Sequence, residues 1–159
     1  EGVFMVPAFA GLGSPWWDPH ARGVLVGLSR GVGRAHLARA AVEAMVHQTR
    51  DVIDAMAAAS GHVPSELRVD GGAAVMDLLL QLQADQLRLR VCRPSITETT
   101  AMGAIYLAGL AEGVWGSLEE ISGQWALESA FEPSGTPEEA QNSHEGWHRA
   151  LERSRTWAD

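Results

Sequence analysis

Two short stretches of this sequence have the residue types and spacing to do chemistry. The first is Asp70-Gly71-Gly72-Ala73, which ends an alternating run from Glu66 and precedes apolar residues at helical spacing, Val75, Leu78, Leu79 and Leu82. Two glycines carry no Cβ to hold a ligand off the backbone, and the helix beyond them offers free N–H groups and a positive dipole end. An adenosine or a phosphate suits such a turn, although a double glycine between strand and helix is also ordinary turn chemistry. Gly72 is the expected ligand contact, with Gly71 and Ala73 supporting the turn. Asp70 reads equally as a strand terminator or as a partner for a ribose or solvent. The second stretch, His144-Glu145-Gly146-Trp147-His148, has the spacing in which two histidines one helical turn apart hold zinc while the glutamate activates water. Only eleven residues follow His148, leaving Glu152 as the third ligand on that face, and Gly146 weakens the helix. The expectation is therefore no metal site and no catalytic residue here, with adventitious binding of an ion by an exposed histidine pair ranked above zinc catalysis.

Other polar and aromatic residues have plainer readings. Trp16 and Trp17 could stack on a sugar, but a loop anchored in the core is the better expectation, because Trp supplies so much buried area. Asp18 and Arg22 could pair locally or cap a turn. His36 begins a helix and reads as a capping group. His47 has no evident partner and reads as a surface or boundary residue.

The elements that must position these groups can be traced by periodicity. Glu1 to Gly33 is dense in Gly and Pro and implies a shaped loop, with a short strand at Gly23 to Leu28. Arg34 to Ser60 lacks both residue types and repeats apolar positions at near-helical intervals, predicting one long helix that stops at Gly61. Strands are expected at 66–70 and 87–92, the latter broken by Pro94, with helices at 75–86 and 99–112. The second of those helices carries small residues, Ala101, Gly103, Ala104, Ala108 and Ala111, that permit close helix packing. From Glu112 to Glu145 eight acidic residues and no Lys or Arg read as a solvated surface, and Glu138 to Trp157 as a last helix. Alternating strands and helices indicate an α/β layered domain, for which three strands are few.

Bulk properties narrow the function. The 159 residues and 46% apolar content support one domain. A formal charge of −8, from 12 basic and 20 acidic residues, argues against nucleic acid as partner. All 12 basic residues are Arg, which excludes a phosphate loop built on lysine. The single cysteine, Cys92, forms no intramolecular disulfide and fits a reducing cytoplasm. No apolar run approaches the roughly 20 residues of a membrane span.

The string Val6-Pro7-Ala8-Phe9, Gly11-Leu12-Gly13, Pro15, Trp17-Asp18-Pro19, Ala21-Arg22-Gly23 resembles the stretch typical of the glycerol kinases within the FGGY carbohydrate kinase family. A second family signature is matched by Gly23, Leu25, Gly27-Leu28, His36-Leu37 and Ala40-Ala41-Val42-Glu43. Arg68 to Ala73 resembles the family's adenosine motif, and Glu98 to Ala104 the helix start that follows it. The resemblance covers roughly Phe4 to Trp157. It implies a partial ribonuclease H-like, actin- or hexokinase-like C-terminal lobe spanning 1–159, with the other lobe and the first strands of this one lying upstream. It implies transfer of the terminal phosphoryl group of magnesium ATP to glycerol, with the catalytic base outside this segment and the isolated segment inactive. ATP or ADP and glycerol are the implied ligands, Mg2+ the implied ion, and self-association the implied assembly. Another sugar or polyol kinase, such as one acting on a ketopentose, and a non-catalytic oligomerisation module are the alternatives. Where family members commonly carry an asparagine near the adenine this chain has Met76, which keeps backbone contact at Gly72 but supplies no amide for the base.

Overall fold

A computed structural model of the chain describes residues 2–158; Glu1, where the expected opening loop begins, and Asp159, where the expected domain ends, lie outside the described residues. Among the described residues there are five strands in two sheets, and a long helix that packs on β1 and on two further helices. β1 (Phe4–Val6) and β2 (Val24–Val26) pair antiparallel, Phe4 opposite Val26. β3 (Glu66–Arg68) runs parallel to β4 (Arg90–Pro94), and β5 (Leu127–Phe131) returns antiparallel to β4, giving the order β3-β4-β5. A parallel pair needs a crossover, here the 3-10 turn Gly72–Val75 followed by α2 (Asp77–Leu87).

α1 (Arg34–Ser60) has the bounds that its Gly- and Pro-free run predicts, and ends at Gly61 in the left-handed region, φ 68°, whose N–H reaches Ala57 O. At its start the His36 Nδ1 accepts from the Gly33 N–H at 3.0 Å, so this histidine does cap the helix. α5 (Pro137–Glu152) starts with a capping box: the Thr136 hydroxyl accepts from the Glu139 N–H, and the Glu139 carboxylate accepts from the Thr136 N–H. α3 (Thr99–Ala111) and the short α4 (Leu118–Ser122) complete the chain order.

The core is divided by α1. Through Ala44 one face joins Val6, Ala8, Leu12 and, from α5, Trp147, Ala150 and Leu151. Through Val46 another face packs on Leu79, Leu80 and Ala84 of α2 and Val91 of β4. A polar clasp closes the three helices, since Ala140 O of α5 accepts from Arg50 Nη1 of α1 at 3.1 Å and from Gln86 Nε2 of α2 at 2.8 Å.

Four expectations change. The opening segment contains a regular strand, β1, because its three residues find β2 across a loop too long for periodicity to bridge. Pro94 does not break the strand before it but ends β4 at an irregularity in register between Arg93 and Pro94, where a missing N–H is tolerated. β5 arises inside the tract read as acidic surface, drawn into order by pairing with β4. In α3, Ala101, Ala104, Ala108 and Ala111 are all exposed instead of lying against a neighbouring helix. No helix among the described residues is long and apolar enough to cross a membrane.

The packing of α2 can be checked by two substitutions two residues apart. Leu80 is 1% exposed and Leu78 is 49% exposed. Leu80→Ala is expected to cost about 2–5 kcal/mol in urea denaturation, whereas Leu78→Ala should stay within about 0.5 kcal/mol of the parent. Equal losses would mean that α2 is rotated from the orientation described.

Candidate functional site

The turn between β3 and α2 is built around Gly71, whose φ of 79° with ψ −179° is a conformation that side chains rarely adopt. Both its polar groups are engaged: its N–H donates to Thr97 O at 2.8 Å, and its C=O accepts from the Ala74 N–H at 3.0 Å. The loop ahead of α3 thus fixes the turn's position. Gly72 and Ala73 face solvent, and a Cβ built on Gly72 meets nothing within 4 Å. Beside this open backbone three apolar side chains are exposed, Val75, Met76 and Leu78. Arg93, its side chain only 12% exposed, holds the start of α2 by donating to Ala74 O at 3.1 Å and Asp77 Oδ1 at 2.7 Å, and it also grips Glu128 of β5. The four predicted residues, Gly71, Gly72, Ala73 and Met76, therefore sit in one turn, rigid in backbone and open above.

A cavity of about 270 Å³ adjoins this turn, lined by Leu67, Val69, Asp70, Ala73, Leu80 and Gln83. Gln83 Oε1 is the one buried side-chain nitrogen or oxygen without a hydrogen-bond partner among the described residues. Sequence reasoning passed over Gln83; its only signal is an amide among the apolar positions of α2.

A second cluster joins α1 to α5. Asp51, buried, accepts four hydrogen bonds: Oδ2 from the indole N–H groups of Trp16 at 3.1 Å and Trp147 at 2.9 Å, and Oδ1 from Nε2 of His144 at 3.1 Å and of His148 at 3.0 Å. With its proton on Nε2, His144 offers Nδ1 as acceptor to His47 Nδ1 at 3.4 Å, and His47 Nε2 in turn lies 3.4 Å from the Ser143 hydroxyl. His47 stacks on Trp147 with ring centroids 5.4 Å apart. Burial, with the neighbouring His144 next, pushes the His47 imidazole down to about 3, so it is neutral. Burial alone would raise the Asp51 carboxyl, but the hydrogen bonds from His144, His148, Trp147 and Trp16 outweigh it and hold the group at about 2.

This cluster corrects the reading of His47, which is 2% exposed and has partners on both ring nitrogens. It also relocates the third member of the histidine pair: it is Asp51, 97 residues before His148, and not Glu152, which pairs with Arg155 at 3.0 Å. Glu145 is exposed and accepts from Gln141 Nε2 at 3.1 Å, so the glutamate of the H-E-x-x-H string lies outside the cluster. A usable signal existed: His47/Asp51 and His144/His148 are both polar pairs four apart, each interrupting an apolar helix face. Trp16 is anchored in the core as expected, while Trp17 is 74% exposed with φ 49°. Asp18 caps its turn through the N–H groups of His20 and Ala21 and accepts from Thr156 N–H at 2.9 Å; Arg22 bonds Pro19 O and Ala21 O instead of Asp18.

Residues 1–112 match the C-terminal domain of the FGGY family of carbohydrate kinases. The chain is 55% identical over 158 residues to a glycerol kinase of Brachyspira hyodysenteriae, covering 99% of this chain and 32% of that protein. It is 54% identical over 156 residues to a glycerol kinase of Herminiimonas arsenicoxydans, covering 98% and 31%. Among solved structures, a Plasmodium falciparum glycerol kinase with ADP superposes with a TM-score of 0.85 at 29% identity, covering 96% of this chain and 31% of that one. A ligand-bound xylulose kinase from Lactobacillus acidophilus gives 0.73 at 26% identity, covering 95% and 30%. The chain spans about a third of the length of these relatives, and its fold is the actin- and hexokinase-like fold of such kinases.

Removing the Asp51 carboxylate strands two indole and two imidazole donors in or beside the core. Asp51→Ala is expected to lower stability by at least about 3 kcal/mol, on the scale of breaking a buried charge and its partners. Guanidinium denaturation followed by tryptophan fluorescence measures this directly; a loss under about 1 kcal/mol would show that the cluster does not hold α5 to α1.

Proposed function

Because this chain belongs to the FGGY family of carbohydrate kinases, we propose that it is the nucleotide-side part of a glycerol kinase, forming one wall of an ATP site whose complete enzyme converts glycerol to sn-glycerol 3-phosphate. The observation that carries the proposal is the turn at Gly71 and Gly72, rigid in its backbone and open above, with exposed Val75, Met76 and Leu78 beside it. A flat apolar base can lie on those side chains while Gly72 admits it to van der Waals distance of the backbone. The N–H groups that open the Gly72–Val75 turn and α2 lack intrahelical partners and favour negative charge, which suits ribose or phosphate oxygens. At Met76 the contact with the base is apolar, so discrimination between bases by a side-chain amide is absent at that position.

Phosphoryl transfer relies on positioning and charge stabilisation more than on covalent chemistry. In this reading the chain holds the nucleotide, and the base that accepts the glycerol proton belongs to the rest of the kinase. Magnesium arrives on the phosphates, and no side chain of the described residues is assigned to it. The exposed apolar side chains Met45, Val52 and Met56 on α1, and Ile105 and Leu107 on α3, suit contact with the remainder of such a kinase or with a second copy. The reading places the enzyme in the cytoplasm. Glycerol is preferred to a ketopentose as acceptor on the 55% identity with a glycerol kinase, against 26% with the xylulose kinase.

Titration of the chain with magnesium ADP by calorimetry is the direct test. Binding is expected, with Gly72→Val weakening it at least about tenfold, or 1.4 kcal/mol, and leaving the melting temperature unchanged because nothing lies near that Cβ. No turnover of ATP with glycerol is expected from the chain alone. Undiminished binding by Gly72→Val would remove the turn from the nucleotide site.

A further inference from the structure

The cluster of Asp51, His144 and His148 plays no part in the nucleotide turn, yet its donor set is that of a transition-metal site. Atoms from the three side chains lie within 4.8 Å of one another. The Asp51 Oδ1 is 3.1 Å from His144 Nε2 and 3.0 Å from His148 Nε2. Two ligands of one ion, each about 2.0–2.1 Å from it, stand about 2.8–3.0 Å apart at octahedral angles and about 3.3–3.4 Å apart at tetrahedral ones. The spacing that serves the two hydrogen bonds is therefore also one that an ion shared by Asp51 with each histidine accepts, and the two histidine ligand atoms lie within 4.8 Å of each other.

The surroundings are built in the way metal ligands are supported. Metal-binding carboxylates and imidazoles are oriented by partners on their second polar atom. Asp51 Oδ2, the oxygen that the histidines do not use, is held by the indole N–H groups of Trp16 and Trp147. Nδ1 of His144 lies against Nδ1 of His47, and Nε2 of His47 against the Ser143 hydroxyl. An ion bound at His144 Nε2 displaces that proton to Nδ1, where it is donated to His47 Nδ1. The proton of His47 then moves to Nε2 and is donated to the Ser143 oxygen. The relay inverts without losing or gaining a proton. A cavity of about 200 Å³, lined by Leu12, Gly13, Ser14, Trp16, Gln48 and Asp51 among others, adjoins the carboxylate, and the His148 side chain is 42% exposed. The exposed side of His148 provides the entry path.

We propose that Asp51, His144 and His148 bind one divalent first-row transition ion of the zinc class, which clips α5 to α1. Two imidazoles and one carboxylate suit zinc and its neighbours and are too few in oxygen for calcium or magnesium. Glu145 is turned to solvent, so the site lacks the general base of a zinc hydrolase and its role is structural.

The test uses the whole 159-residue chain, stripped with chelator and titrated with Co2+ and then Zn2+. The expected result is one equivalent of cobalt with the visible ligand-field bands of a low-coordinate nitrogen and oxygen site, displaced by zinc, and a melting temperature that rises with zinc. His148→Gln retains an N–H to donate to Asp51 and so preserves the metal-free fold. It should weaken binding more than about 100-fold, beyond what loss of an outer-shell partner causes, and Trp16→Phe should weaken it about 10-fold to 100-fold. No retained equivalent in the parent chain, or equal uptake by the parent and His148→Gln, overturns the proposal.

Discussion

One buried carboxylate organises this chain. Asp51 stands on α1 where the helix meets α5 and the tryptophan loop, and its two oxygens take four donors from those elements. A charge in the core is tolerated only when its hydrogen-bonding capacity is filled. The requirement fixes much else: α5 must present His144, Trp147 and His148 on one face, and the Pro- and Gly-rich loop must deliver Trp16. His47 then completes the layer by stacking on Trp147. Gly146 belongs to the same constraint, since a Cβ there would fall 2.4 Å from the Phe4 ring of β1.

The Gly71-Gly72 turn depends on a different anchor. Gly71 supplies a backbone shape that most residues resist, and Thr97 and Arg93 hold the flanking segments so that Gly72 is exposed without being loose. The two regions share α1, which packs against α2 through Val46 and against α5 through Ala44. The position of this turn, through α2, is thus set by the same helix whose other face carries Asp51.

Local periodicity made much of the fold legible. The bounds of α1, its glycine stop and the start of α3 follow from where Gly and Pro interrupt an apolar repeat, because helix formation is decided by bonds four residues apart. The glycine turn was legible from its contiguous Gly71-Gly72 pair between an alternating run and a helical one. β1 and β5 were not, since short strands exist only through partners distant in sequence. The histidine pair is legible in its four-residue spacing, but that spacing points only to Glu152 on the same helix face and not to Asp51, which lies on α1.

The sequence by itself determined α1, α3 and the approximate places of α2 and α5, together with the Gly71-Gly72 turn and kinship with the FGGY kinases, all written in contiguous residues or in motif order. It did not determine the short α4 or the end of α5 at Glu152 instead of Trp157. Tertiary structure alone decided that Asp51, His47, His144, His148, Trp16 and Trp147 form one connected group. Two polar pairs with helical spacing, 97 residues apart between Asp51 and His148, meet only when α1 and α5 pack, and nothing in their local spacing encodes that packing.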